Sequence, residues 1–327
     1  MKDLYGREIE YLRVSLTELC NLRCRYCMPV EGVNKKNHDE MLTEEELLVA
    51  VKVAVSLGIK KIRLTGGEPL VKKNIIDIVE KIKMIDGVKE LCLTTNGTLL
   101  SKYARDLKHA GLDCINISLD TLDPKKYNYI TSLGNIEDAL EGIEESLKVG
   151  FDKVKINTVL IGGFNDDEVV NFAKKTLELP IDIRFIELMP MYDSGDFNEK
   201  SFMPCKAAFD ILKKYCDDKK ISIEKVDAAK THAVAILYKL ENAKGHIGFI
   251  SPVSCDFCKE CNRIRLTADG KLKPCLHSSQ EICIKGLNEE EIREKFIETI
   301  KMKPERHARL SYKDRSEAKR NMNEIGG

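Results

Sequence analysis

Six short apolar runs alternate with amphipathic segments across the first 190 residues, and this alternation limits the possible folds more than any other feature. The runs are Tyr11 to Leu16, Lys60 to Thr65, Glu90 to Thr95, Cys114 to Leu119, Lys153 to Leu160 and Ile181 to Glu187. Between the first two lies TEEELLVAVKVAVSLG, where Thr43 and Glu46 have capping-box spacing and Gly58 supplies a stop. Strand and helix in alternation require parallel strands with right-handed crossovers. Six such units predict an α/β fold of partial (β/α)6 TIM-like type, open where an eight-stranded barrel closes. After Met189 the pattern changes to the loop MYDSGDFNEK, a helix near Cys205 to Cys216, and strand-like runs at Ile221 to Val226, Ala233 to Leu240 and His246 to Ile250. Residues 1–190 are therefore expected as the core and residues 191–327 as a C-terminal region covering the barrel mouth.

Charge and cysteine content narrow the function. Lys plus Arg and Asp plus Glu both number 53, so no global field gathers nucleic acid or an anionic membrane. No apolar run reaches the ~20 residues of a membrane span, and the opening MKDLYGREIEYL lacks a secretory pattern, so a cytoplasmic location is expected. Twelve cysteines in such a setting point to metal or redox chemistry rather than to disulfides. Six of them cluster, as Cys20, Cys24 and Cys27 and as Cys258, Cys261 and Cys275. Cys92, Cys114, Cys205, Cys216 and Cys283 show no ligand spacing and read as small buried apolar side chains.

CNLRCRYC follows the first strand, where an α/β sheet presents its ligands. Three thiolates on one loop can bind three irons of a four-iron cluster and leave the fourth iron for another ligand. A zinc site is the alternative and needs a fourth ligand, for which His38 is the nearest residue. LTGGEP, Leu64 to Pro69, follows the second strand; its glycines allow close approach to a ligand and Glu68 can receive an ammonium group. Together these motifs resemble the radical S-adenosylmethionine (SAM) superfamily. The resemblance implies that the open iron chelates SAM and that cleavage of SAM yields a deoxyadenosyl radical. It further implies SAM contacts at Tyr26, Gly67, Glu68, Ser118 and Met189.

The late segment SPVSCDFCKECNRIRLTADGKLKPC, taken alone, suits zinc, because Cys255 or His277 can close a tetrahedron around Cys258, Cys261 and Cys275. Arg263 and Arg265, two apart, face one side of an extended segment, and Lys61 and Arg63 repeat the device. With Arg13, Lys155 and Arg184 they bring several cations toward one site. Two unit charges ~6 Å apart repel by about 3 kcal/mol at an effective dielectric near 20. Such a group calls for a phosphate-rich anion.

LCNLRCRYCMP, LTGGEP, LTTNG, RFIELMP, CNRIRLTADGKLKPCL and the final IGG together resemble the family of two-cluster radical enzymes that cyclise GTP at the start of molybdenum cofactor biosynthesis. The resemblance implies two [4Fe-4S] clusters, the second facing guanine, with GTP contacts at Arg13, Lys61, Arg63, Thr94, Lys155, Arg184, Arg263 and Arg265. It implies that Arg263, Arg265, Gly326 and Gly327 act in the active site. The implied reaction abstracts the ribose 3′ hydrogen, joins C3′ to guanine C8 and yields 3′,8-cyclo-7,8-dihydro-GTP. A low-potential electron donor, a homodimer and a cyclic pyranopterin monophosphate synthase downstream are implied as partners, with no nucleic acid and no membrane. Glu18 and Leu19 depart from the family, which commonly has Asp-Arg there. A peptide-modifying radical enzyme and a zinc-ribbon binding module are the competing readings.

Overall fold

A computed structural model describes residues 1–29, 31–33, 36–191, 197–227, 234–255 and 257–326. All six expected strands form, as β1 (Tyr11–Ser15), β2 (Lys61–Thr65), β3 (Glu90–Thr95), β4 (Cys114–Ser118), β5 (Lys153–Leu160) and β6 (Ile181–Glu187). Helices α1 (Glu44–Ser56), α2 (Ile75–Lys83), α3 (Leu100–His109), the pair α4 (Pro124–Thr131) and α5 (Ile136–Val149), and α6 (Val169–Glu178) make the crossovers. The chain continues through α7 (Cys205–Lys219), β7 (Ile223–Lys225), β8 (Ile236–Leu240), β9 (Ile247–Ile250), β10 (Arg263–Leu266), β11 (Lys271–Lys273), β12 (Ile282–Cys283), α8 (Glu289–Lys301) and α9 (Met322–Ile325). Residues 192–196 of the expected loop and Ala233 lie outside the described residues.

One twelve-stranded sheet runs in the order β12-β11-β10-β1-β2-β3-β4-β5-β6-β9-β8-β7 and does not close. Strands β1 to β6 pair in parallel, as the alternation predicted. The C-terminal region extends this same sheet at both edges: β9 pairs in parallel with β6, and β10 pairs in parallel with β1. Beyond them β8 and β11 turn antiparallel.

Strand side chains alternate between two faces. Leu12, Val14, Ile62, Leu64, Leu93, Ile115, Ile117 and Ile156 belong to one core with Leu47, Ala50 and Val51 of α1 and Ile78 and Ile82 of α2. Complete burial of each such aliphatic side chain contributes about 1.5–3 kcal/mol. Alternate positions carry Arg13, Arg63, Asn116 and Lys155, which point to the face without helices. The partial barrel is thus oily outside the sheet, under its helices, and polar within.

The structure also shows where the unclustered cysteines lie. Cys92 on β3 and Cys114 on β4 are buried as expected, and the pairing of the two strands sets them directly opposite each other with Cα atoms 4.7 Å apart. Spacing along the chain carries no information about this, because the pairing of neighbouring strands creates the contact. Cys205 and Cys216 are buried as expected, whereas Cys283 is exposed, because β12 is the outermost strand of the sheet.

The start of α1 forms as expected. Thr43 Oγ1 accepts the Glu46 N–H at 3.2 Å, Glu46 Oε2 accepts the Thr43 N–H at 2.9 Å, and Gly58 takes φ +100° past the last turn. Thr43→Ala should cost about 1 kcal/mol of stability, checked as a lowered urea midpoint at unchanged slope.

A candidate two-cluster active site

The first cysteine loop leaves the carboxyl end of β1. Leu22 N–H donates to Cys20 Sγ at 3.4 Å, and the Cys27 and Met28 amides both donate to the Cys24 carbonyl, at 2.8 and 3.1 Å. Cys20, Cys24 and Cys27 are all free. Burial raises the Cys24 thiol well above its usual range and pushes Cys27 up to about 12. A metal centre reverses that preference, because coordination deprotonates a thiol.

The second cysteine set stands at the other end of the strands. Cys261 lies just before β10, which runs parallel to β1, and Cys275 follows the antiparallel β11. Both therefore sit at the amino ends of the core strands. About 15 Å of strand separates the two ends. Burial opposes the Cys261 thiolate, yet Arg263 and Lys303 bring its pKa down to about 6. Cys255 is exposed and Cys258 is buried.

Among the described residues, only Glu90, Cys92 and Cys114 bring three His, Cys, Asp or Glu ligand atoms within 4.8 Å of one another. Cys20, Cys24 and Cys27 and Cys258, Cys261 and Cys275 are not contracted in this way. The His38 side chain lies outside the described residues. His277 faces Ser316 and His307.

The glycines of LTGGEP lie against the cysteine loop. A Cβ on Gly67 would lie 2.3 Å from the Leu19 carbonyl oxygen, and one on Gly66, at φ +154°, 2.5 Å from that of Thr17. The close approach is to the cysteine loop itself, sealed by Gly67 N–H to Thr17 O at 2.7 Å and Glu68 N–H to Leu19 O at 2.8 Å. Glu68 accepts from Asn96 N–H and Thr95 Oγ1, both at 2.7 Å, and from Leu70 N–H at 3.0 Å. Burial lifts its pKa to about 7. Of about four lone-pair positions on a carboxylate, one is left for an ammonium group.

Of the other residues expected near SAM, Tyr26 donates its hydroxyl to Asp120 Oδ2 at 2.6 Å. Ser118 ends β4 in register with Asn157, and Met189 packs beside Met191 and Ile325. Asp120 was not singled out in the sequence. Burial raises it to about 6, and it also accepts the Val159 N–H at 2.9 Å.

All eight residues expected at GTP meet on the polar face. Tyr11, Arg13, Arg263 and Arg265 are joined by the β1–β10 register, Lys61 and Arg63 by β1–β2, and Asn157 and Arg184 by β5–β6. Arg63 donates to Thr94 Oγ1 at 3.3 Å and to Tyr11 Oη. Burial, then Arg184, lowers Lys155 to about 7. Burial lowers Arg13 to about 10, with Arg63 and Arg263 adding to the effect. Burial opposes ionisation of Tyr11, but Arg63, Arg13 and Lys61 bring the phenol down to about 7. The neutralising carboxylates on this face are few: Glu90 bridges Lys61 and Lys153, and Asp182 lies opposite Lys155. Arg184 Nε, Asn116 Oδ1 and Asn157 Oδ1 are buried without a hydrogen-bond partner among the described residues. These orphaned groups fit a polar ligand. Sequence reasoning missed Tyr11, Asn116 and Asn157, although Asn157 stands two residues from Lys155 on the same strand face.

The tail closes the carboxyl end. Arg265 Nη1 donates to Gly326 O at 2.5 Å, and a Cβ on Gly326 would lie 2.8 Å from Thr65 and 3.0 Å from Ser15. The Asn323 amide donates to the Cys27 sulfur, and Asn323 Nδ2 donates to Glu18 O at 3.1 Å. Glu18 has its own function here. Lys36 joins Glu18 to Asp269, and Arg320, just before the tail, bridges Asp269 and Glu281 at 2.9 and 2.7 Å. Gly327 lies outside the described residues.

Relatives place this geometry. The radical SAM superfamily pattern matches residues 14–176, and that of Molybdenum Cofactor Synthesis C matches residues 181–309. A GTP 3′,8-cyclase of Alkaliphilus oremlandii is 47% identical over 330 residues, covering 100% of both chains. One of Peptoclostridium acidaminophilum is 49% identical over 329 residues, covering 99% of this chain and 98% of its own. Among solved structures, Streptococcus suis SuiB bound to S-adenosylmethionine superposes with TM-score 0.60 at 14% identity, over 85% of this chain and 62% of that one. Native anSMEcpe with bound AdoMet gives 0.60 at 16%, over 92% of this chain and 82% of that one. At these identities the structures share the fold.

Two measurements test the site. Gly67→Ala should displace the cysteine loop and lower iron from about eight to about four per chain, each cluster holding four, by colorimetric iron assay. At pH 8 Lys155 is largely neutral in the free protein, and adjacent phosphates should raise its pKa. Binding of inorganic triphosphate should then take up more protons at pH 8 than at pH 6, since the Tyr11 phenol shares this shift with Lys155, read by calorimetry in buffers of different ionisation enthalpy. Lys155→Met should reduce the uptake at pH 8 and leave the part due to Tyr11.

Proposed function

Because this chain belongs to the GTP 3′,8-cyclases of the radical SAM superfamily, we propose that its polar sheet face holds GTP between two clusters, one at each end of the strands. The chain is an enzyme of molybdenum cofactor biosynthesis that uses SAM and [4Fe-4S] clusters and acts on GTP. Cys20, Cys24 and Cys27 hold the first cluster, and Cys258, Cys261 and Cys275 the second. When bound, the first cluster and SAM supply the radical that removes the ribose 3′ hydrogen, so that C3′ can bond to guanine C8.

The chain's own residues do the positioning. The observation that carries this reading is the polar face itself, where Arg13, Lys61, Arg63, Lys155, Arg184, Arg263 and Arg265 converge with Glu90 and Asp182 as the facing carboxylates. A triphosphate relieves that repulsion, and paired guanidinium groups on rigid strands fix its orientation. Thr94, held by Arg63, adds a hydroxyl to the same wall. At the carboxyl end, Tyr26, Gly67, Glu68, Ser118 and Met189 surround SAM. There the Gly326 backbone, held by Arg265, excludes water from the space between SAM and ribose. Gly327 is assigned to the active site by the family resemblance alone. Holding both reacting partners in line is the protein's main contribution to rate.

We further infer that residues 1–190 work as the SAM-binding core and residues 191–327 as the region of the second cluster. A low-potential one-electron donor, a homodimer and a cyclic pyranopterin monophosphate synthase that consumes the product complete the setting in the cytoplasm. No described helix is long and apolar enough to cross a membrane.

Anaerobic protein reduced in the presence of SAM and GTP should form the cyclised nucleotide, detected by mass spectrometry. GDP and GMP should bind progressively more weakly than GTP. Unchanged affinity across the three nucleotides would remove the phosphate role of the cations. Cys255→Ser should leave iron content and turnover intact, since Cys255 is exposed.

A further inference from the structure

Lys303 follows α8 and is only 3% exposed. Its ammonium donates to Cys261 Sγ at 3.5 Å, to Arg263 O at 2.9 Å and to Pro274 O at 3.0 Å. Those contacts use all three of its donors and reach two of the three cysteine positions, Cys261 directly and Cys275 through the carbonyl before it. Among the described residues no carboxylate lies within ion-pair distance of Lys303. A buried ammonium without a counterion is costly, and here the only anionic partner is sulfur.

The anchoring of this segment is independent of the sulfur. Arg7 donates to Pro304 O at 2.7 Å, to Glu305 O at 3.0 Å and to Cys258 O at 2.6 Å. Arg7 therefore fixes the backbone of both the Lys303 segment and the cysteine loop, while Lys303 alone of the pair reaches a thiolate.

We propose that Lys303 is a positioning residue that raises the reduction potential of the second cluster, by placing a hydrogen bond and a positive charge on Cys261. The proposal rests on Cys258, Cys261 and Cys275 holding that cluster. The physical reason is charge. A four-iron cluster with three thiolates becomes more negative when it takes one electron from a low-potential donor, and a fixed ammonium at a ligating sulfur favours the reduced form. Hydrogen bonds to cluster sulfurs are an established determinant of potential.

The test uses the full chain with Cys20, Cys24 and Cys27 changed to Ala, which leaves the second cluster alone. That parent should hold about four irons; an iron-free or zinc-only parent would reject the two-cluster reading itself and the proposal with it. In a potentiometric titration followed by electron paramagnetic resonance, Lys303→Met should lower the reduced-to-oxidised ratio at fixed potential at least about tenfold, or about 59 mV for one electron. Lys303→Arg should restore most of the shift, and Arg7→Lys, which alters carbonyl contacts and the ion pair with Asp3 but no contact to sulfur, should leave the potential near that of the parent. An unchanged midpoint in iron-loaded Lys303→Met, or an equal shift in Arg7→Lys, would overturn the proposal. If Lys303→Met does not retain iron, Lys303→Gln replaces it; loss of the cluster in both would assign Lys303 a purely structural role and equally defeat the inference.

Discussion

The parallel pairing of β10 with β1 is the contact that builds this site. It joins Tyr11 to Arg263 and Arg13 to Arg265, two segments about 250 residues apart in a chain of 327. Because the strands run the same way, the cysteines after β1 and those before β10 go to opposite ends of the sheet. Reversing that one direction would put both cysteine sets at the same end and leave no span between them for a nucleotide. Parallel pairing over so long an interval carries a loop-closure cost, which the shared aliphatic core under Leu12, Val14, Ile264 and Leu266 offsets.

The polar face carries an electrostatic penalty that this core makes tolerable. Buried cations repel, and burial lowers Lys155 to about 7 and Arg13 to about 10. Desolvated charge without full compensation is what a strong anion site requires, since a free protein that had neutralised its own cations would have little affinity left for a triphosphate. Tyr11 is the internal compromise, a phenol that the cations bring down to about 7. Only the apolar side of the same strands permits such crowding.

Around the first cysteine loop the structure is a set of mutual constraints. Gly66 and Gly67 lie against Thr17 and Leu19 so closely that no side chain fits, while Glu68 ties the β2 loop to Thr95 and Asn96. The tail approaches from the other side, through Asn323 to Glu18 and Arg320 to Asp269. Glu18 thereby becomes part of the device that brings Gly326 to Arg265. Substitution in the loop and ordering of the tail are in this way physically linked.

Local periodicity and short spacing were enough to read the six βα units, the α1 cap, the two cysteine triplets and the cations from the chain alone. They could not show that the glycines of LTGGEP meet the chain's own backbone, that Cys92 faces Cys114, or that Tyr11, Asn116, Asp120 and Asn157 join the site. They left iron–sulfur and zinc both open at the late cysteines. Strand register and the parallel docking of β10 decide those placements, because they juxtapose residues distant along the chain, whereas the choice of iron–sulfur rests on the family. Lys303 shows the same limit: nothing in KMKPERH distinguishes a surface lysine from one buried against Cys261, because the difference lies entirely in what the fold packs around it.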